Sequence, residues 1–225
     1  MQKHQRFASC HLLFILLSSC FLLISCSGCN VIGAVAQGLP PAKVLPKYNG
    51  LAGQKIAVMV WADRGIRTDY PGMPLELTSS IQNALKANTK EKELSGSTFP
   101  YSPESIVRFQ TDHPELETSP ITEVAPHMGV VTRLIYIEIE DFSTQSRLAT
   151  NLVRGEMTAT LRVVEVTNGK AKVAFEENNV HAIFPPKSPE EGVVNLEQAV
   201  AYRGLLGEFT TQVLHRFVPY ESEEQ

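Results

Sequence analysis

Thr158–Glu177 reads TATLRVVEVTNGKAKVAFEE, and its interpretation decides the fold. At the centre stands Thr167-Asn168-Gly169-Lys170, and Asn-Gly is the favoured central pair of a two-residue hairpin turn. Upstream, Met157, Ala159, Leu161 and Val163 recur at every second position, the period of a strand with one buried side, within a strand predicted over Leu152–Val166. Downstream, Ala171–Phe175 supplies the returning strand. The centre of the chain is therefore an antiparallel hairpin with one face committed to a core.

Working outward, Val130–Phe142 alternates in the same way. Ile135, Ile137 and Ile139 point to one side, and Tyr136, Glu138 and Glu140 to the other, so one face is buried and one is wet or partnered. Lys55–Trp61, KIAVMVW, is instead a continuous apolar run between Gly53 and Asp63-Arg64-Gly65. That is the pattern of a strand covered on both faces, and it marks the centre of the core. Trp61, the only tryptophan, reads as a core-edge aromatic, with a ligand platform as the alternative.

Helices fill the intervals. After a polar loop and Tyr70–Pro74, the segment LELTSSIQNALKAN places Leu77, Ile81, Ala84 and Leu85 at helical spacing, with Pro74 in the first turn. Thr89–Tyr101 reads as a solvated loop. Ser102-Pro103 and Ser119-Pro120 each set a hydroxyl cap before a proline, opening two short helices divided by His113-Pro114, and Gly129 ends the second. Beyond the turn-rich Pro185–Gly192, Asn195 and Gln198 have capping-box spacing for a helix through Phe217, whose apolar stripe includes Leu206, Phe209 and Val213. Within it, Gly204 and Gly207 allow either close approach to the sheet or a weak break. Pro219 ends it. The expected fold is α/β (α+β): a small mixed sheet of about four strands with a strand–helix start, an Asn-Gly hairpin and a long C-terminal helix packed on it.

Met1–Cys26, MQKHQRFASCHLLFILLSSCFLLISC, has different physics. Lys3 and Arg6 precede a run that is apolar apart from His11 and a few Ser and Cys, the charged and apolar regions of an export signal. Leu23-Ile24-Ser25-Cys26 resembles the lipobox of bacterial lipoproteins, in which small residues precede a Cys that is acylated before cleavage. Leu17-Ser18-Ser19-Cys20 also fits, but cleavage there leaves Phe21–Ile24 as an exposed apolar start. An uncleaved membrane helix is the further alternative, since about 20 apolar residues span a bilayer. The expected organisation is a signal peptide at 1–25, a lipidated N-terminus and flexible tether at 26–53, one domain at 54–218 and an acidic tail at 219–225. The tether rests on breaker density, from Gly28 through Pro40-Pro41 to Gly53. Ser27 after the lipid-bearing Cys resembles an outer-membrane sorting context, so the expected location is the periplasmic side of the envelope, with the outer membrane favoured.

Composition narrows the function. Removing residues 1–25 takes away Lys3 and Arg6 and no acid, leaving 18 bases against 24 acids. Such an acidic domain is a poor nucleic-acid binder, because phosphate contacts need clustered Lys and Arg. The four cysteines stand at 10, 20, 26 and 29. Once Cys26 is acylated and its leader removed, only Cys29 remains, with no partner for a disulfide or a thiolate metal site. The six histidines share no ligand spacing, and there is no Gly-rich phosphate loop and no G-x-S-x-G elbow. No catalytic residue, cofactor or metal is assigned, and a non-enzymatic protein is expected. Two groups remain as binding candidates. Glu138 and Glu140, with Asp141 and Glu156, would cluster if their strands are neighbours, although a solvated sheet face is the plainer reading. Asp63 and Arg64 stand at the end of the first strand, where α/β sheets often bind ligands.

With this order of elements in view, residues 54–218 resemble the amino-terminal domain of the Tol-Pal translocation propeller protein and the periplasmic domain of curli-secretion-type lipoproteins. The resemblance is carried by KIAVMVWAD, ITEVAPHMGVVTRLIYIEIEDF and TATLRVVEVTNGKAKVAFEE. It implies a non-enzymatic, lipid-anchored adaptor of an envelope transport or assembly complex, with an envelope protein partner and self-association as an option. No propeller repeats follow and no long amphipathic hairpins are evident, so pore formation does not carry over. The competing expectation is a solute-binding or hydrolytic lipoprotein using Asp63, Arg64 and Asp69, which requires a concave pocket around those residues.

Overall fold

The computed structural model describes residues 43–114 and 118–222. Cys26, the other cysteines and the export signal lie outside the described residues. The architecture below is that of the compact unit Val44–Tyr220. Its frame is a four-stranded sheet in the order β2-β3-β4-β5, made of β2 (Ile56–Ala62), β3 (Arg133–Gln145), β4 (Val153–Thr167) and β5 (Lys170–Phe184). β2 runs parallel to β3, and the other joints are antiparallel. The single parallel joint follows from the sequence: an intervening segment of helices carries the chain back before β3 begins.

Asn168 and Gly169 have φ of 52° and 74°, the two positive values that the hairpin turn between β4 and β5 requires. β5 runs on to Phe184, past the expected end at Phe175. Alternation fails there because β5 carries irregularities opposite Val163/Val164 and Ala159/Leu161, with Asn179 at φ 57°. Each extra residue shifts the side-chain phase, which hides the strand from a period-two reading.

One face of the sheet packs against α2 (Met73–Ala87) and α5 (Gln198–Leu214). Val58, Val60, Ile135, Ile137, Leu161 and Val163 meet Leu77, Ile81, Phe209 and Val213 in one core, all with at most 1% exposure. On the opposite face a smaller cluster joins Ala57, Met59, Leu134 and Val164 to α3 (Pro103–Asp112), α4 (Ile121–Val124) and the 3-10 turn Ala125–Met128. β2 is thereby buried on both faces, which is why its sequence lacks alternation. Gly129 ends the Ala125–Met128 turn at φ 63°.

Several local expectations need correction. The segment after Ala62 is a short helix, α1 (Arg64–Asp69), capped by Asp63, whose side chain accepts from the Ile66 amide. Thr89–Tyr101 is not simply solvated: a turn at Lys92–Leu94 buries Leu94, and Thr98 bridges to Lys55 at the edge of β2. The Asn195–Gln198 capping box does not form. Asn195 takes a positive φ of 58°, and Glu197, with no side-chain cap bond, precedes α5.

The packed unit also takes in residues on both sides of 54–218. Leu51 is 1% exposed, and the Tyr48 ring packs on Phe175 and Phe217. Arg133 Nε donates to Tyr48 Oη and to the Gly50 carbonyl, both at 3.1 Å. Lys43–Val44 (β1) pairs with Tyr220–Glu221 (β6) in a separate two-stranded ladder.

Candidate functional site

Where α3 and α4 do not cover it, the second face of the sheet is polar and built from β3, β4 and β5. Arg162 on β4 stands opposite Tyr136 and Glu176. Its Nη1 donates to Glu138 at 2.8 Å and its Nε to Glu176 at 3.0 Å. Partial burial disfavours the charged guanidinium, but the two carboxylates outweigh that and hold its pKa above the ordinary arginine value. Next along β4, the Thr160 hydroxyl lies between Glu140 Oε1 and Asn178 Oδ1. Burial also raises the Tyr136 phenol, with Glu138 adding to the effect.

The four acids Glu138, Glu140, Asp141 and Glu156 do not form one cluster. β3 and β4 are neighbours, but the register sets Glu138 opposite Thr160 and Glu156 opposite Ser143. Glu138 and Glu140 therefore group around Arg162 and Thr160. Asp141 and Glu156 group with Arg147 and His181: Arg147 pairs with Asp141, and His181 Nε2 lies 3.0 Å from Glu156. Each acid has a polar partner. What the face presents is a fixed pattern of alternating charge, with Glu138, Glu176, Asp141 and His181 each about two-fifths exposed.

The end of β2 carries a different feature. Asp63, Arg64 and Asp69 are exposed on α1, and none of the three lines the cavity found there. Asp63 is occupied as the helix cap. The cavity, of about 330 Å³, opens beside Trp61 between α2 and α3. Arg67 Cζ lies 4.4 Å from the Trp61 ring centroid, a cation–π contact. Gln110 on α3 donates Nε2 to the Val60 carbonyl at 3.1 Å. Sequence reasoning placed the position at the strand end but missed Arg67 and Gln110. A six-residue helix shows too little periodicity to reveal which side of α1 turns inward, and nothing local to Gln110 signals its bond to a strand 50 positions away.

Among the described residues no group of three or more His, Cys, Asp or Glu could hold a metal ion. No helix among them is long and apolar enough to cross a membrane.

No protein-family model matches the chain, and no curated protein matches it. Solved structures do. A variant of the PelC dodecamer from Paraburkholderia phytofirmans is 11% identical, with 77% of this chain and 96% of that one covered at a TM-score of 0.37. CT253 from Chlamydia trachomatis is 12% identical, with 73% and 97% covered at 0.41. The lipoprotein GNA1162 from Neisseria meningitidis is 15% identical, with 72% and 96% covered at 0.42. These likenesses do not confirm the resemblance to the Tol-Pal propeller protein or to curli-secretion lipoproteins. At TM-scores below 0.5 none carries a functional statement to this chain.

Proposed function

We propose that this protein is a non-enzymatic, lipid-anchored adaptor on the periplasmic side of a bacterial envelope, with the outer membrane the favoured location, serving a transport or assembly complex. The observation that carries the reading is the leader: two bases, an apolar run and Leu23-Ile24-Ser25-Cys26, the arrangement by which an export signal becomes a lipid attachment site. The folded unit supports it with a surface suited to a protein partner. Glu138, Arg162 and Glu176 form an ion-paired row on the part of the sheet that the helices leave uncovered, and such patterned charge selects a partner and orients it more than it adds affinity.

Crosslinking in intact cells, followed by detergent extraction and purification of the full chain, tests the proposal. One envelope protein should be recovered repeatedly in stoichiometric amount, and the Glu138→Gln, Glu176→Gln double variant, which changes two side chains about two-fifths exposed, should lose most of it with the fold retained by circular dichroism. Recovery of uncrosslinked monomer alone, under several growth conditions, would count decisively against an adaptor.

A solute-binding or hydrolytic role for Asp63, Arg64 and Asp69 is disfavoured. All three are exposed and lie outside the cavity at the strand end.

A further inference from the structure

Between α2 and α5, away from the ion-paired row on the sheet, lies an open groove. It consists of two adjoining cavities, of about 500 and 510 Å³, whose walls share Glu76 on α2 and Arg203 on α5. Each is within the roughly 300–1,000 Å³ of small-molecule pockets, so a ligand longer than either cavity has room in both.

Aromatic rings form one end. Tyr70 and Tyr202 line the first cavity, nearly parallel at 11° with centroids 5.9 Å apart, and the buried Phe142 ring meets Tyr70 at 4.6 Å. The Tyr70 and Thr144 hydroxyls are hydrogen-bonded at 3.3 Å. Burial pushes the Tyr202 phenol up, and the neighbouring Glu76 carboxylate adds to the effect. Rings held in this way lose little freedom when a ligand arrives.

The charged groups are of opposite kinds. Glu76 only accepts hydrogen bonds and Arg203 only donates them. Both are exposed, and neither makes an ion pair among the described residues. A charged ligand drawn to one is repelled by the other, whereas a hydroxyl, both donor and acceptor, can meet either. A β-1,4-linked hexopyranose carries equatorial hydroxyls around its rim, and the slightly positive C–H groups of its face suit the negative face of an aromatic ring. In the second cavity Ser79 and Ser80 supply further hydroxyls, and Gly207, with nothing within 4 Å of a Cβ position, leaves the wall open.

We infer that this groove binds a neutral oligosaccharide of β-1,4-linked hexopyranose units, one unit packed on Tyr70 and Tyr202 with its hydroxyls met by Glu76 and Arg203, and the next units running past Ser79 and Ser80 to Gly207.

The probes are cellohexaose and chitohexaose, each compared with its disaccharide and titrated into the full chain in detergent by ligand-observed NMR. At least one hexasaccharide should bind with a dissociation constant of about 1 mM or tighter, about tenfold tighter than its disaccharide. That affinity should be the same from about 50 to about 500 mM NaCl, because salt does not screen a neutral ligand. Arg203→Ala should weaken binding about fivefold or more. Gly207→Phe, which fills the second cavity, should bring the hexasaccharide down to the affinity of the disaccharide and leave the disaccharide unchanged. Binding of neither hexasaccharide at about 10 mM, equal affinity for long and short sugars, binding that falls with salt, or undiminished binding in Arg203→Ala would overturn the proposal. If Gly207→Phe does not fold, the dependence on length and the Arg203→Ala variant still decide it.

Discussion

Arg216, just beyond the C-terminus of α5, holds Glu177 on β5 with two nitrogens, Nη2 3.0 Å from Oε1 and Nε 3.4 Å from Oε2. Lys47 reaches the same Oε1 from the N-terminal approach at 2.8 Å. Three segments far apart in sequence thus meet on one carboxylate, where the sheet, its longest helix and the incoming chain converge.

That convergence makes stability acid-sensitive. Burial pushes the Glu177 carboxyl up, but hydrogen bonds from Lys47 and Arg216 outweigh it and hold the pKa below the ordinary carboxylate value. A folded-state pKa below the unfolded one contributes stability that is fully present above the unfolded value, near 4.5, and is lost as pH falls through the lower folded value. Wild-type protein should therefore lose melting temperature on going from pH 6 toward pH 3 more steeply than Glu177→Gln. Arg216→Ala should destabilise the neutral-pH protein by about 1–3 kcal/mol, because it strips partners from a carboxylate that is mostly out of water. Parallel melting curves for wild type and Glu177→Gln would expose the linkage as wrong.

Two glycines in α5 should respond in opposite directions. A Cβ on Gly204 would overlap the Phe184 ring, whereas nothing lies within 4 Å of the corresponding position on Gly207. Alanine in a helix interior is favoured over glycine by about 1 kcal/mol. Gly207→Ala should therefore stabilise the protein by roughly that amount. Gly204→Ala must displace Phe184, at an overpacking cost of about 1–3 kcal/mol, and should be destabilising overall. Urea unfolding of both variants checks the sign of each effect.

This contrast shows what the sequence could and could not reveal. Close approach at Gly204 or Gly207 was legible as an option, but the choice depends on where Phe184 falls, and Phe184 lies on the part of β5 beyond its irregularities. The hairpin, the doubly buried β2, the alternating β3 and the α2 stripe were all readable because each obeys a local rule: turn chemistry, continuous burial, period two or period 3.6. α1 and the late start of α5 were not, since one is too short to show a period and the other turns on a left-handed Asn195 rather than a cap. The candidate site divides in the same way. Glu138 and Glu140 were placed correctly on a polar face, but their pairing with Arg162 and Thr160 is fixed by β3–β4 register, which alternation alone leaves open. Arg67 and Gln110 became visible only when α1, α3 and the end of β2 were brought together.

The N-terminal approach offers a direct test of where the folded unit begins. Gly50, Gly53 and three upstream prolines make residues 26–53 look like tether throughout, yet Leu51 is buried and Tyr48 bridges Phe175, Phe217 and Arg133. Leu51→Ala should cost about 2–5 kcal/mol, the range for truncating a buried leucine. A chain beginning at residue 54 should melt well below one beginning at residue 43. Equal stability of those two chains, measured by thermal unfolding, would show that this approach segment contributes nothing.

The adaptor reading rests finally on attachment, and the distribution of cysteines lets attachment be separated from folding. All four lie at or before position 29, so no thiol lies among the described residues. Because acylation precedes cleavage, Cys26→Ser should keep its leader, with an intact mass equal to the unmodified full chain in place of a lipidated chain beginning at residue 26, and a second variant whose residues 1–26 are replaced by an export signal without a lipobox should move the protein from the detergent-extracted membrane fraction to the soluble fraction. The folded unit should keep its melting temperature, because lipidation acts through membrane partitioning and not through the core. If the lipid sits on Cys20 instead, Cys26→Ser will keep a lipid adduct on a chain that starts six residues earlier, and Cys20→Ser will be the variant that loses it. A wild-type mass equal to the full unmodified chain would remove the lipid anchor altogether. An adaptor that works at a membrane surface should lose its crosslinked partner along with its anchor, so the releasing variant, folded but soluble, should recover that partner at a small fraction of the wild-type yield.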